Sequence, residues 1–430
     1  MASFMAKQPR DVDKTPWWKR FGTGFVTGAA DDDPSGVATY SQVGAKFGYA
    51  MLWVVLVTTP LMIAIQMISA RIGRVCGAGL ADALIANFPK SAVWTLIVLL
   101  VVANTINIGA DLAAMGAAAK LLIGGPSLLY ALIFAVVSTT LQVYLSFERY
   151  SPILKVIALS LFAYVATAFS VHVPWGTALR YFIVPHVQWN TDYLTGVVAV
   201  LGTTISPYLF CWQAAEEVAE LRQNGDRKLL RDTGRKADAE LRRIALDTTV
   251  GMTFSNLVAF FMIVTAAAVL HAHGKTDIQS ASDAAEALRP IAGRFAFTLF
   301  SLGIVSTGLL AVPVVAGASA FAVAGAARKP YGLARKPRQA KLFYGVLVGS
   351  MVLGTALTFS PIDPIKALYW SAVVNGVCAV PLMAAIMLVV RRKKTMGEHV
   401  VRGWLLFWGW LATAVMGVAA VVMFATLGKQ

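Results

Sequence analysis

Apolar runs of about 20 residues, the length a helix needs to cross a bilayer's hydrocarbon core, recur eleven times along this 430-residue chain. They lie near residues 22–46, 50–70, 92–118, 127–146, 152–171, 192–214, 246–270, 295–326, 341–360, 364–390 and 403–428. In hydrocarbon every backbone N–H and C=O must find its partner inside the segment, so each run is expected to be an α-helix. Only 14% of the residues are charged, against about 25% in soluble domains. That deficit excludes a water-soluble protein. The predicted fold class is an all-α polytopic membrane protein with 11 transmembrane helices.

Charge orients the spans. The formal net charge is +15, which on a soluble protein would suggest nucleic acid; here the basic residues sit in short segments between apolar runs. With the N-terminus in the cytoplasm, 29 of the 37 Lys and Arg fall on the inner side. The eight outside are Lys46, Lys120, Arg180, Lys275, Arg289, Arg294, Lys366 and Lys429. The asymmetry holds loop by loop, as the positive-inside rule requires. It places the C-terminus outside and suits a bacterial inner membrane, with lipid as the only bulk partner. Residues 1–20 are polar, with Pro9 and Pro16, and read as a cytoplasmic tail. Residues 21–430 read as a single transmembrane domain. The longest inner loop, 215–246, is rich in Glu, Lys and Arg and is expected to form a surface helix or a solvated connector.

Ionisable groups inside a membrane are expensive and need a reason. Asp31-Asp32-Asp33-Pro34-Ser35-Gly36 lies within the first run. Pro34 has no N–H to donate, and Gly36 tolerates unusual backbone angles. The reading is a helix that breaks mid-membrane with a carboxylate at the break. Carboxylate plus freed carbonyls makes a site for a hard cation. The competing reading starts the span after Gly36 and leaves the aspartates in water; the apolar stretch Phe21 to Ala30 weighs against it. Which of Asp31, Asp32 and Asp33 faces the gap is open at this level.

A second interruption, Gly202-Thr203-Thr204-Ile205-Ser206-Pro207-Tyr208, falls in span six. Spans one and six are corresponding members of two five-span halves. Breaks at matching positions point to a binding site at the interface of inverted repeats. In span three, Asn104, Asn107 and Asp111 share one helix face. That stripe either lines a water or proton path or serves as interhelical hydrogen-bond glue. Asn375 in span ten is a similar case. Glu216 and Glu217 end span six and read as solvated helix-end charges, with the lining of an inner vestibule as the alternative. Cys76, Cys211 and Cys378 lie far apart and form neither a disulfide framework nor a metal-ligand spacing.

With Asp33-Pro34 in span one and Ser206-Pro207 in span six, the eleven-span layout resembles the natural resistance-associated macrophage protein (NRAMP) family, from about Phe21 to the chain end. The resemblance implies the 5+5 inverted-repeat (LeuT-like) fold shared with bacterial amino-acid transporters. Repeat one covers about 21–171, repeat two about 192–391, and 403–428 is an extra helix. It also implies a divalent metal, as substrate and not cofactor, held between broken helices 1 and 6.

The chain departs from the family pattern at telling places. The family's span-one motif is Asp-Pro-Gly-Asn; Gly36 stands at the asparagine position. Its span-six motif is Met-Pro-His; Ser206 and Tyr208 replace the methionine and the histidine. The family's carbonyl ligand falls on Thr203. Asp111 matches a span-three aspartate of proton-coupled members, and Ala114 stands where their glutamate would be. The metal ligands implied are Asp33, the Thr203 carbonyl and Ser206, directly or through water. Asp31, Asp32, Gly36, Tyr208, Asn104, Asn107, Asp111 and Asn375 would line the site or its pathway. Without a thioether the site suits harder metals. Mg²⁺, which keeps several waters and needs few carboxylates, is the first expectation and Mn²⁺ the second. The sequence is similar to the divergent NRAMP-related magnesium transporters; the missing histidine and glutamate argue against proton coupling, and the choice between coupled transport and potential-driven uniport is open at this level. The alternative is an amino-acid or amine transporter of the same fold, against which the acidic run argues. A membrane enzyme lacks support: no nucleophile–base pair, HExxH or phosphate-binding loop is present.

Overall fold

In a computed structural model, which describes residues 27–28, 31–145, 159–223 and 234–427, every regular element is helical. Twelve helices carry the architecture: α1 (Pro34–Phe47), α2 (Leu52–Cys76), α3 (Lys90–Ile123), α4 (Ser127–Tyr144), α5 (Phe162–Ser170), α6 (Thr191–Thr204), α7 (Pro207–Gln223), α8 (Gly234–Val269), α9 (Ala296–Ala326), α10 (Lys341–Leu357), α11 (Pro364–Val389) and α12 (Gly403–Leu427). Eight stretches among the described residues are long and apolar enough to cross a membrane. One of them, Pro34–Cys76, is α1 and α2 together, and another, Thr191–Arg222, is α6 and α7. The tail 1–20, the start of span one and the start of span five lie outside the described residues.

Local chemistry sets the helix starts that matter. Asp33 caps α1: its side chain accepts from the Gly36 N–H at 2.8 Å, and Pro34 occupies the first helical position, where its missing N–H costs nothing. Asp363 and Pro364 repeat the device at α11. Long α3 packs against α9, α11, α10 and α4. Helix α8 lies along α1 and α2, while α7 rests on α2 and α9, and α6 on α11. The last contact is close because the residues are small: a side-chain carbon on Gly202 would overlap the Ala372 carbonyl oxygen and Gly376. Small residues let helices approach where the hydrophobic effect gives no drive to associate. Outer faces of α4 and α12 expose Ile133, Val136, Phe407 and Val421, as lipid contact requires.

The 215–246 segment differs from expectation. Its two ends are the last turns of α7 and the first turns of α8, and 224–233 lies outside the described residues. Glu217 is not solvated: it is 1% exposed. Arg74 of α2 stands 3.9 Å from it and Arg243 of α8 3.6 Å. Arg74 also bonds Glu240 at 3.0 Å, and Arg243 bonds Glu220 and Glu240. The carboxylate stays buried here because the buried Arg74 and the half-buried Arg243 guanidinium groups stand beside it.

Candidate cation-binding site

The first helix breaks where the aspartates are. Asp31 is helical, Asp32 a bend, and Asp33 extended at ψ 170°. The Asp33 N–H turns back to the Asp31 carbonyl at 2.8 Å. Asp33 Oδ1 accepts from Ser35 Oγ (2.6 Å) as well as from the Gly36 N–H. Its Oδ2 accepts from Asn107 Nδ2 and from the Tyr208 hydroxyl, each at 3.3 Å.

The second break is a consequence of Pro207. Helix α6 ends at Thr204, Ile205 leaves helical geometry (φ −112°, ψ 60°), and Pro207 opens α7. Proline cannot donate to the carbonyl four residues back, which is that of Thr203. The Ser206 hydroxyl does so instead, lying 2.8 Å from the Thr203 oxygen and 2.9 Å from that of Gly202. The two breaks meet: Ser35 Oγ lies 3.3 Å from Thr203 Oγ1, and the Tyr40 hydroxyl 3.1 Å from Thr204 Oγ1. A carbon added at Gly36 would sit 3.3 Å from Thr203 Oγ1 and 3.6 Å from Asp33 Oδ1. Asn107 continues the network to α11, accepting from Ser371 Oγ (3.2 Å) and Asn375 Nδ2 (3.1 Å) and donating to Asp111 Oδ2 (2.9 Å).

The sequence candidates therefore divide. Asp33, Gly36, Thr203, Tyr208, Asn107, Asp111 and Asn375 belong to one buried constellation. Ser206 adjoins it, with its hydroxyl turned to the backbone. Asp31 and Asp32 turn to another helix: Ser255 Oγ of α8 lies 2.7 Å from Asp31 Oδ2 and 3.0 Å from Asp32 Oδ1. Asn104 bonds Ser319 and the Val315 carbonyl of α9, so it acts as interhelical glue. Tyr40, Ser255 and Ser371 were not singled out from sequence, and Ser35 and Thr204 entered only as members of the two interrupted stretches. Ser371 had a signal, since it lies one turn from Asn375 on the same face; Ser255 had none beyond its polarity.

Electrostatics make this place unusual. Asp31, Asp32, Asp33 and Asp111 are all at least 92% buried. Among the described residues the only buried Lys or Arg is Arg74, engaged by Glu217 and Glu240. Asp31 Oδ1 and Asp111 Oδ1 find no hydrogen-bond partner there. Buried carboxylates without positive side chains call for positive charge from elsewhere. No group of three or more His, Cys, Asp or Glu among the described residues is arranged to hold a metal. Any metal held at Asp33 would therefore draw on carbonyls, hydroxyls, amides and water. A cavity of about 340 Å³ opens between the ends of α1, α6 and α11, lined by Gln42, Lys46, Asp192, Asp277, Tyr369 and Trp370 among others. Lys46 and Asp192 are paired at its rim at 2.8 Å. Its Gln42 is nine residues, roughly 13 Å of helix, from Asp33, with buried Tyr40 between.

Known proteins share this plan. The sequence profile described as Natural resistance-associated macrophage protein-like matches residues 24–426. The divalent metal cation transporter MntH of Klebsiella pneumoniae (strain 342) is 27% identical over 404 residues, covering 92% of this chain and 91% of that protein. The MntH of Yersinia enterocolitica serotype O:8 is 31% identical over 315 residues, 70% of this chain and 72% of that protein. A manganese transporter of Eremococcus coleocola superposes with a TM-score of 0.73 at 17% identity, covering 94% of this chain and 86% of that one. A nucleobase-cation-symport-1 family transporter reaches 0.58 at 13% identity, over 95% and 93%.

Proposed function

Because this chain belongs to the natural resistance-associated macrophage protein-like family and is an integral membrane protein of that helical fold, we propose that it moves a divalent metal cation across the membrane. Mg²⁺ is the first candidate and Mn²⁺ the second. One observation carries the reading: Asp33 is buried where two broken helices meet, ringed by oxygen and amide donors, with no Lys or Arg in the ring. Asp33 is the principal charged ligand, and the Thr203 carbonyl and the Ser206 hydroxyl, directly or through a bridging water, complete the protein's share. To engage Thr203 the cation displaces the Ser206 hydroxyl that now occupies that carbonyl.

Oxygen-only ligation with few carboxylates suits a partly hydrated Mg²⁺. Mn²⁺ stays close behind because the relatives named above include a manganese transporter. Entry is downhill and uncoupled to protons, since Ala114 and Tyr208 stand where the family resemblance puts a glutamate and a histidine. Asp31 and Asp32 add negative charge beside the site without being ligands.

Uptake into proteoliposomes across a metal panel tests this. The parent should accumulate Mg²⁺ and Mn²⁺, and Asp33→Asn should accumulate neither. Transport of both metals by Asp33→Asn at the parent's rate would overturn the assignment.

A further inference from the structure

Asn107 is a fully buried carboxamide whose four hydrogen-bonding positions are all in use. Its nitrogen donates to Asp33 Oδ2 (3.3 Å) and Asp111 Oδ2 (2.9 Å). Its oxygen accepts from Ser371 Oγ (3.2 Å) and Asn375 Nδ2 (3.1 Å). A primary amide has two N–H donors and two lone pairs, so carboxylates on one side and donors on the other hold it in one orientation.

A divalent cation at Asp33 reverses that preference. It occupies the carboxylate oxygen that Asn107 now serves, and it meets the positive end of the amide. The other end of the same group is a neutral oxygen of the kind hard cations take. We propose that the Asn107 carboxamide is a reversible ligand, turning its nitrogen to Asp33 when no cation is held and its oxygen to the cation when one is. The proposal rests on the cation reading of Asp33.

Two features make the half-turn feasible. The ends of a carboxamide have nearly the same shape, so turning about the Cβ–Cγ bond displaces no neighbour. Partners also exist for the turned state. The Ser371 hydroxyl accepts as readily as it donates. Asn375 Oδ1 is buried with no hydrogen-bond partner among the described residues, and a matching turn of Asn375 brings it to the Asn107 N–H. Asp33 and Asp111 lose an N–H in the exchange, and they carry the two charges that a dication neutralises.

Infrared difference spectra of the full-length protein in detergent, with isotope-labelled asparagine side chains, test this. Adding Mg²⁺ or Mn²⁺ should shift a labelled amide carbonyl band, and the shift should vanish in Asn107→Asp. No shift, or a shift that survives in that variant, would overturn the proposal. Should Asn107→Asp not fold, Asn107→Leu, which keeps roughly the shape of the side chain and carries no amide, takes its place. The carbonyl shift should vanish there as well, and a shift that survives refutes the turn. A parent chain that binds neither metal sinks the cation reading itself, whereas a parent that binds them without the carbonyl shift sinks only the role of Asn107.

Discussion

Tyr208 and Ser206 each hold an oxygen that a cation would want. The Tyr208 hydroxyl donates to Asp33 Oδ2 and is fully buried; a hydrogen bond to a charged group is worth about 1.5–3 kcal/mol. Tyr208→Phe removes this competitor, so Mg²⁺ and Mn²⁺ should bind more tightly to it in calorimetry. Weaker binding would mean the phenol oxygen is itself a ligand. Ser206 satisfies the carbonyl that Pro207 strands. Ser206→Ala should lower the unfolding free energy by about 1 kcal/mol, the net worth of one neutral hydrogen bond, and weaken cation affinity, since it removes a ligand oxygen. Unchanged affinity would take the hydroxyl out of the ligand set.

At the scale of elements, the broken helices are held in different ways. Helix α6 is fastened to α11 by close contact, where Gly202 meets Ala372 and Gly376. Overpacking such a contact costs about 1–3 kcal/mol, so Gly202→Ala should lower the melting temperature and slow uptake together. Helix α7 is fastened to α2 and α8 by charge, through Glu217, Arg74 and Arg243. Removing one partner of a buried pair costs about 3–5 kcal/mol. Glu217→Gln should therefore loosen α7 and expose Cys211, now 4% exposed on that helix, to a thiol reagent. Unaltered Cys211 labelling would show that packing alone holds α7 in place.

For the whole molecule, the prediction concerns driving force. A dication moving inward through an inside-negative potential gains about 4.6 kcal/mol per 100 mV. Uptake should follow an imposed potential and stay unchanged across a pH gradient. Acidification of the liposome lumen in step with metal entry would overturn uncoupled transport. The cavity between α1, α6 and α11 adds a related constraint, because Lys46 and Lys366 offset Asp192 and Asp277 at its wall. These two pairs of opposite charges leave the wall without net charge, so on the proposed reading selectivity falls to the buried aspartate beneath it.

The apolar run lengths, the mid-membrane prolines and the aspartate before Pro34 were enough to place most of the described helices, both interruptions and the acid at the first of them. Each is a local property: a span is set by its own hydropathy, a break by its own missing N–H, a cap by the residue before it. Partner choice is not local. Asp31, Asp32 and Asp33 are neighbours in sequence, yet Asp33 faces Asn107 and Tyr208 while the other two meet Ser255 on α8, because the bend at Asp32 turns successive side chains to different helices. The span-three stripe divided as well, Asn104 to α9 and Asn107 to the site. Glu217 was read as a solvated charge because its counterions lie 143 and 26 residues away along the chain. Sequence alone determined where helices run and where they fail. Only the tertiary structure decided which polar groups meet, since burial and pairing depend on what the neighbouring helices bring.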